Sequence, residues 1–251
     1  YKTLYKNEAG DYNIALGCHA LFENTSSNKI AIGSYSQEKG TTGEFNISIG
    51  EYALNQNTKG DYNTAIGYES QRNTNNVNDN KPSYNSSFGA NSMTNNTSGE
   101  NNVAIGSGTM YSNYTNRENV ALGNDSLRMS VLSEGTQTVN HVAIQNVSIG
   151  HAAMKHHRWG DNNIAMGYQS LMSNTTGGGT GTGDTNTISD NVSIGAKSMH
   201  DNEAGSSKNV SIGTNALTKG INKFNVAIGY ESLYRNTVSQ VNTASQNVAI
   251  G

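Results

Sequence analysis

Proline is all but missing from this chain of 251 residues, with Pro82 the only one, and cysteine and tryptophan also occur once each, as Cys18 and Trp159. A lone cysteine excludes a disulfide framework within the chain and leaves the redox compartment open. Scarce proline suits a backbone whose N–H groups are committed to hydrogen bonds, since proline has none to give. Charge is thin as well: 14% of residues are charged, the formal net charge is -3, and lysine and arginine are scattered. That excludes the basic stripe with interleaved aromatics that nucleic-acid binding requires. No apolar run is long enough to cross a membrane and no charged-plus-apolar leader opens the chain, so this segment is not expected to insert into one. Hydrophobic residues reach only 33% and mean hydropathy is -0.62, a balance that on composition alone points to disorder.

A repeat overrules that reading. A phrase of Asn, β-branched, Ala or Ser, apolar, Gly recurs thirteen times between Asn13 and Gly251, as in NIALG at 13–17, NISIG at 46–50, NVAIG at 102–106, NIAMG at 163–167 and NVAIG at 225–229. Asn13, Asn46, Asn102, Asn163 and Asn225 open these phrases, and Gly17, Gly50, Gly106, Gly167 and Gly229 close them. Most glycine-to-glycine gaps are 16 to 18 residues, too short for a helix pair and right for one turn of a small parallel β-solenoid. About thirteen short coils are expected in one continuous all-β domain over 1–251, read as a segment of a longer fibre protein. At about 4.8 Å per coil they would make a rod on the order of 60 Å long.

Within a phrase the residues alternate as in a strand, Val103 and Ile105 on one face, Ala104 and Gly106 on the other, and both faces are expected to be buried. Three residues after the glycine stands Ala, Ser or Thr, then usually Leu or Met, as in Ala20 Leu21, Ala53 Leu54 and Ser170 Leu171, which reads as a second strand. Gln37 and Gln71 take the Leu place in two coils and predict a weaker core contact there. A Gly, acidic, any, Asn turn precedes several phrases (Gly10, Gly43, Gly60, Gly99, Gly160), with the glycine expected to supply a positive φ. Asn opens twelve of thirteen phrases, Lys29 the exception, which predicts a stacked column of amides, each donating to the next coil.

These phrases resemble the head repeats of YadA-type trimeric autotransporter adhesins, and the Gly, Tyr, x, Ser, Leu runs of Gly167–Leu171 and Gly229–Leu233 resemble phage tail-fibre shafts. The resemblance implies a left-handed β-roll, three chains side by side as a homotrimer, and an extracellular position on a virion fibre or cell surface. Long Asn-rich, Tyr-containing spacers favour the tail-fibre reading over the adhesin head. The function expected is structural and adhesive: a trimeric fibre segment that projects, or contributes to, binding of a host-surface glycan or protein. Neither family brings catalytic residues or a cofactor to these positions, and no enzyme activity is expected. A polysaccharide-degrading tailspike and an ice-binding solenoid are the rival classes. The first needs a carboxylate pair in a groove, whereas Asp11, Glu44, Asp61, Glu100 and Asp161 recur at the turn. The second needs flat ranks of Thr, whereas Thr here is scattered through spacers.

One local cluster stands out: His151, His156, His157, Arg158 and Trp159, a candidate surface contact for a glycan or partner, because Trp and Arg are frequent anchors. Its spacing matches no standard zinc site. Four long gaps (67–89, 123–150, 167–195, 229–251) are expected to leave the stack as surface loops, and residues 176–189 to be removable. The Gly-rich run 175–184 lacks the Gly, Lys, Ser/Thr ending of a phosphate loop. At 142–145, VAIQ copies the phrase immediately before NVSIG, so either could take the strand. Aromatic residues share two offsets, Tyr68, Tyr168 and Tyr230 after the glycine and Tyr12, Phe45, Tyr62, Tyr84 and Phe224 before the Asn, and are expected to stack between coils.

Overall fold

The computed structural model describes residues 1–73, 81–128, 143–157, 160–172, 188–202, 205–220, 222–234 and 244–251. They fall into two compact units, Tyr1–Glu118 and Asn119–Gly251, and no helix occurs among them. In the first unit six phrases form β1 (Ile14–Leu16), β2 (Ile30–Ile32), β3 (Ile47–Ile49), β4 (Thr64–Ile66), β5 (Ser86–Phe88) and β6 (Val103–Ile105). Each pairs with the next in parallel and without stagger, as in Ile14 beside Ile30 and Ser48 beside Ala65. The second unit has β7 (Val120–Leu122), β8 (Val147–Ile149), β9 (Ile164–Met166), β10 (Val192–Ile194), β11 (Asp201–Asn202), β12 (Val210–Ile212), β13 (Lys219–Gly220), β14 (Asn222–Lys223), β15 (Val226–Ile228), β16 (Ala244–Ser245) and β17 (Val248–Ile250). Its phrase strands β7, β8, β9, β10, β12, β15 and β17 pair in that order, again parallel and in register. Two short side ladders, β11 with β13 and β14 with β16, line the turns.

Each coil turns its small residues inward and its large strand residues outward. Ala31, Ser48, Ala65, Ser87, Ala104, Ser148, Ala165 and Ser193, the middle residues of their strands, are fully buried, while Ile49 and Ile105 remain 37% and 42% exposed. The expectation that both strand faces are buried is therefore wrong for the single chain. One large apolar side chain per coil fills the interior: Leu21, Leu54, Met93, Met110, Leu127, Met154, Leu171, Met199 and Leu217 are fully buried. A low hydrophobic content suffices because so thin a coil has room for no more.

The segment carrying these residues is not a second strand. It is a turn closed by bonds such as Ala20 N–H to Gly17 O at 3.3 Å, and its backbone is left-handed two and four residues after each glycine, as at His19 and Leu21 or Tyr52 and Leu54. Positive φ at Leu is costly in isolation. Here the coil-to-coil bonds that it aims, Leu21 N–H to Ser36 O at 3.0 Å and Leu54 N–H to Ser70 O at 3.0 Å, sustain it. Gln37 and Gln71 keep the Leu place and are as buried as Leu. Their amides reach the next coil's serine, Gln37 Nε2–H to Ser48 Oγ at 2.8 Å and Gln71 Nε2–H to Ser87 Oγ at 2.9 Å. A polar contact replaces the apolar one.

The asparagine column is present in both units; its bonds from one asparagine to another run back along the chain, and its bonds to turn carbonyls run forward to the next coil. The N–H of Asn102 donates to Asn85 Oδ1 (3.0 Å), its Nδ2 to the same oxygen (3.1 Å) and to Asn116 O (2.8 Å). In the second unit Asn163 makes the same three contacts, to Asn146 Oδ1 (3.0 Å from both nitrogens) and Ile188 O (2.7 Å). Each amide thus satisfies a backbone N–H and a turn carbonyl of the next coil, as Asn46 does for Asn63 N–H and Gly60 O, groups that would otherwise be buried unpaired at about 1–3 kcal/mol each. A second column lies two residues earlier: Asp61 Oδ1 accepts Glu44 N–H (2.9 Å), Ser83 Oγ accepts Asp61 N–H (3.0 Å), and Ser189 Oγ accepts Asp161 N–H (3.1 Å).

The turn glycines answer to space and not to φ. Gly10, Gly43, Gly60 and Gly99 are not left-handed, and a Cβ on them would lie 2.2 to 2.4 Å from a carbonyl oxygen of the following coil. Gly160 alone of the five has a positive φ, and in the others the left-handed residue is the one before the Asn, Tyr12, Phe45, Tyr62 and Asn101. The phrase glycines meet both conditions: Gly50 has φ +137° and a Cβ there would lie 2.4 Å from Gly67 O.

The buried contacts between consecutive coils are mostly matched; where Ser92 meets Ala104 and Ser232 meets Ala249, the hydroxyl donates instead to the alanine's carbonyl (3.3 and 3.1 Å). The residue three after a phrase glycine faces the middle strand residue of the next coil, and serine meets serine: Ser36 and Ser48 (2.5 Å), Ser70 and Ser87 (2.6 Å), Ser126 and Ser148 (2.7 Å), Ser170 and Ser193 (2.8 Å), Ser198 and Ser211 (2.7 Å). Alanine meets alanine at Ala20 with Ala31 and Ala53 with Ala65. The matching settles the choice at 142–150: Asn146–Gly150 supplies β8, whose Ser148 finds Ser126, and Ala143 sits buried in the turn before it with its carbonyl accepting Asn119 Nδ2–H at 3.0 Å. Much of the long gaps (74–80, 129–142, 173–187, 235–243), including the Gly-rich run, lies outside the described residues. Residues 188 and 189 belong to the stack through Ile188 O and Ser189 Oγ, so 176–189 is not removable as a whole.

The serine matching predicts a thermodynamic cycle. Ser126→Ala and Ser148→Ala should each destabilise the protein, while the double variant should cost less than their sum, with a coupling of about 1 kcal/mol in urea unfolding. Additive effects would show that the two hydroxyls do not depend on each other.

Candidate contact surface

Two sets of side chains face solvent in columns parallel to the stack. The first is the outward face of the phrase strands. In the first unit Ile14, Leu16, Ile49, Phe88 and Ile105 are exposed, and in the second unit Ile164, Met166, Ile212, Val248 and Ile250. Single exposed apolar residues are ordinary, whereas columns of them repeated from strand to strand mark a surface made for contact.

The second set is aromatic. Phe45, Tyr62 and Tyr84 stack at 4.9 and 5.1 Å with rings within 8° of parallel, as expected for residues in register on adjacent coils. Two residues after the glycine a further column appears that sequence reading missed: His19 meets Tyr35 edge-on at 5.2 Å, and Tyr35 stacks on Tyr52 at 5.0 Å. Arg72 lies 4.9 Å above the Tyr52 ring and pairs with Glu69 at 2.6 Å. The shared offset from Gly17, Gly33 and Gly50 was the signal that could have found it. Stacked rings spend their faces on one another and offer mainly edges and hydroxyls outward. Tyr68 and Tyr230 each donate to the following glutamate, Glu69 or Glu231, which holds the phenol proton above its usual range.

The histidine cluster separates. His151 is exposed and stacks on Tyr168 at 5.6 Å, His156 is half-buried, and His157 is fully buried. Arg158 and Trp159 lie outside the described residues. His157 stands seven residues after its phrase glycine, the place held by Asn57 and Asn96, where the amide donates to a glycine carbonyl three residues on (2.9 and 3.1 Å) and accepts that glycine's N–H (2.9 and 2.8 Å). The imidazole keeps only the first bond, Nε2 to Gly160 O at 3.2 Å, which sets the proton on Nε2 and leaves Nδ1 without a partner. Burial lowers its pKa from 6.5 to about 4, against small opposing effects of Gly160 O and Asp161. The three imidazoles do not meet, and among the described residues no three His, Cys, Asp or Glu side chains gather in a way that could hold a metal ion.

Lys29 fills the place of the missing column asparagine. Its N–H donates to Asn13 Oδ1 at 3.0 Å, and its fully buried Nζ donates to Asn24 Oδ1 and to Gly40 O, both at 2.7 Å. Gly40 occupies the place seven after the glycine where Asn24 and Asn57 carry their amides, and a Cβ on it would come within 3.3 Å of Lys29 Nζ. The longer lysine and the absent side chain at 40 are one exchange of volume. Burial lowers the lysine pKa from 10.5 to about 7, with Glu44 and Asp61 pulling the other way.

Of the recurring acids, Asp61 and Asp161 are engaged in the stack, accepting backbone N–H groups of Glu44 and Ile144. No protein family, no curated protein and no solved structure matches this chain. Its class rests on its own geometry: an all-β repeat protein of stacked parallel coils in the manner of a β-solenoid.

Two outcomes follow. Tyr62→Ala removes both ring contacts and should lower unfolding free energy by about 1–2 kcal/mol, read from thermal unfolding. Lys29→Asn and Gly40→Asn should each destabilise alone, whereas the double variant, which restores the two-asparagine coil, should recover the loss; a double variant as unstable as the worse single one would refute the exchange.

Proposed function

We propose that this chain is a structural and adhesive segment of an extracellular homotrimeric fibre, of the phage tail-fibre shaft kind. The observation that carries the reading is the outward strand face. Nearly every coil already fills its interior with Ala, Ser and one Leu or Met, and the Ile, Leu, Val and Met columns outside stay partly exposed to water. Burial against two further copies would remove those columns from water, at roughly 1.5–3 kcal/mol for each fully buried side chain. Repeated over successive coils that gain exceeds the cost of association. The rest fits a mechanical role: backbone bonds in every coil, side chains in columns and acids engaged as hydrogen-bond acceptors. A host-surface glycan or protein is the partner proposed for the polar turns and the His151 surface.

Light scattering after size exclusion tests this, with a mass of three chains expected. Ile66→Asp combined with Ile105→Asp, both outward, should give a monomer with unchanged far-ultraviolet circular dichroism. A wild-type monomer would overturn the fibre reading, and release of reducing sugar from a capsule polysaccharide would overturn the non-enzymatic one.

A further inference from the structure

We infer that Lys29 and His157 make the stability of the two units rise with pH: each is a proton acceptor buried in a place that holds its neutral form and offers no further partner to the proton that charges it.

The geometry comes first. A neutral lysine amine has two N–H groups, and Lys29 Nζ has two acceptors, Asn24 Oδ1 and Gly40 O. Among the described residues the third proton of an ammonium finds no further acceptor. Glu44 and Asp61 act on it only at a distance, neither forming an ion pair with it among the described residues. Neutral His157 has one N–H, used on Gly160 O, and protonation would place a second N–H at Nδ1, which faces no partner. Asp161 is the charged group that acts on the ring, and Lys155, two residues before it, is engaged with Asp125 at 3.3 Å. In coils of the same build asparagine fills both places, and asparagine does not titrate. Among the described residues each unit therefore has one titratable base fully buried in its hydrogen-bonded interior, Lys29 in the first and His157 in the second.

The direction of the effect follows from linkage. Both groups hold a proton more weakly folded than unfolded, so the unfolded chain binds more protons and stability rises with pH. For Lys29 the rise lies between about 7 and 10.5 and the penalty is complete below 7. For His157 it lies between about 4 and 6.5 and is complete below 4. Mild acid should therefore weaken the second unit around His157, while alkali should strengthen the first.

The experiment is thermal unfolding of the full chain from pH 4 to 10, for wild type, His157→Asn and Lys29→Asn/Gly40→Asn. The wild-type midpoint should climb by several degrees from pH 4 to 7 and again from 7 to 10. His157→Asn should flatten the lower limb and the lysine–glycine pair the upper one. Variants that keep the wild-type slopes would overturn the inference. Should either variant fail to fold, carbon-13 NMR of histidine-labelled wild type decides the lower limb: a buried ring that titrates near its ordinary value of about 6.5 sinks it. For the upper limb, nitrogen-15 labelled lysine does the same if Lys29 titrates with the surface lysines.

Discussion

One coil resting on the next through backbone hydrogen bonds is the constraint on which this structure depends. Adjacent coils can approach only as closely as strands in a sheet, and every buried N–H and C=O must find a partner across that gap. Three-residue strands meet only part of the demand. Turn backbones left-handed at alternate residues meet another part, and asparagine amides, each bonded to a coil on either side, meet the rest. The same gap explains the glycines, which stand where two backbones come too close for any Cβ.

The constraint also inverts the usual sidedness of a strand. An interior this thin admits alanine, serine and one larger side chain, so isoleucine and leucine are left on the outside. A monomeric globular protein would place them the other way round. That inversion supports the proposed association more firmly than the repeat alone does, because it recurs from coil to coil. The aromatic columns obey the same rule of register, rings meeting rings at the coil spacing.

Much of this was legible in the sequence, and what was not has physical reasons. The phrase gave the strands, their order and the asparagine column, since a fixed period leaves little else for those residues to do. Leu21 and its equivalents were rightly placed in the core but in the wrong backbone, because a left-handed leucine contradicts local preference and is sustained only by neighbours far away in sequence. Gly60 and its like were credited with φ when close approach was the cause, a distinction no single turn reveals. His156 and His157 look like one cluster as letters, yet successive residues at this turn point opposite ways, one half out and one fully in. The serine and alanine matching was there to be read, and it needed only comparison of each coil with its successor instead of with the average coil.

That matching bears on how such a chain can lengthen. The β2 coil presents Ala31 to the coil before it and Ser36 to the coil after it, and the β3 coil presents Ser48 and Ala53. Tandem copying of either coil alone would bring a serine against an alanine, exchanging the hydroxyl pair for a bond to the alanine's carbonyl of the kind Ser92 makes to Ala104. Copying the two together joins Ala53 to a second Ala31 and disturbs nothing. A copy of two coils, about thirty-four residues, thus keeps the hydroxyl pairs that a one-coil copy would exchange for carbonyl bonds, and the β8 and β9 coils, with Ser148, Ala153, Ala165 and Ser170, form another such doublet.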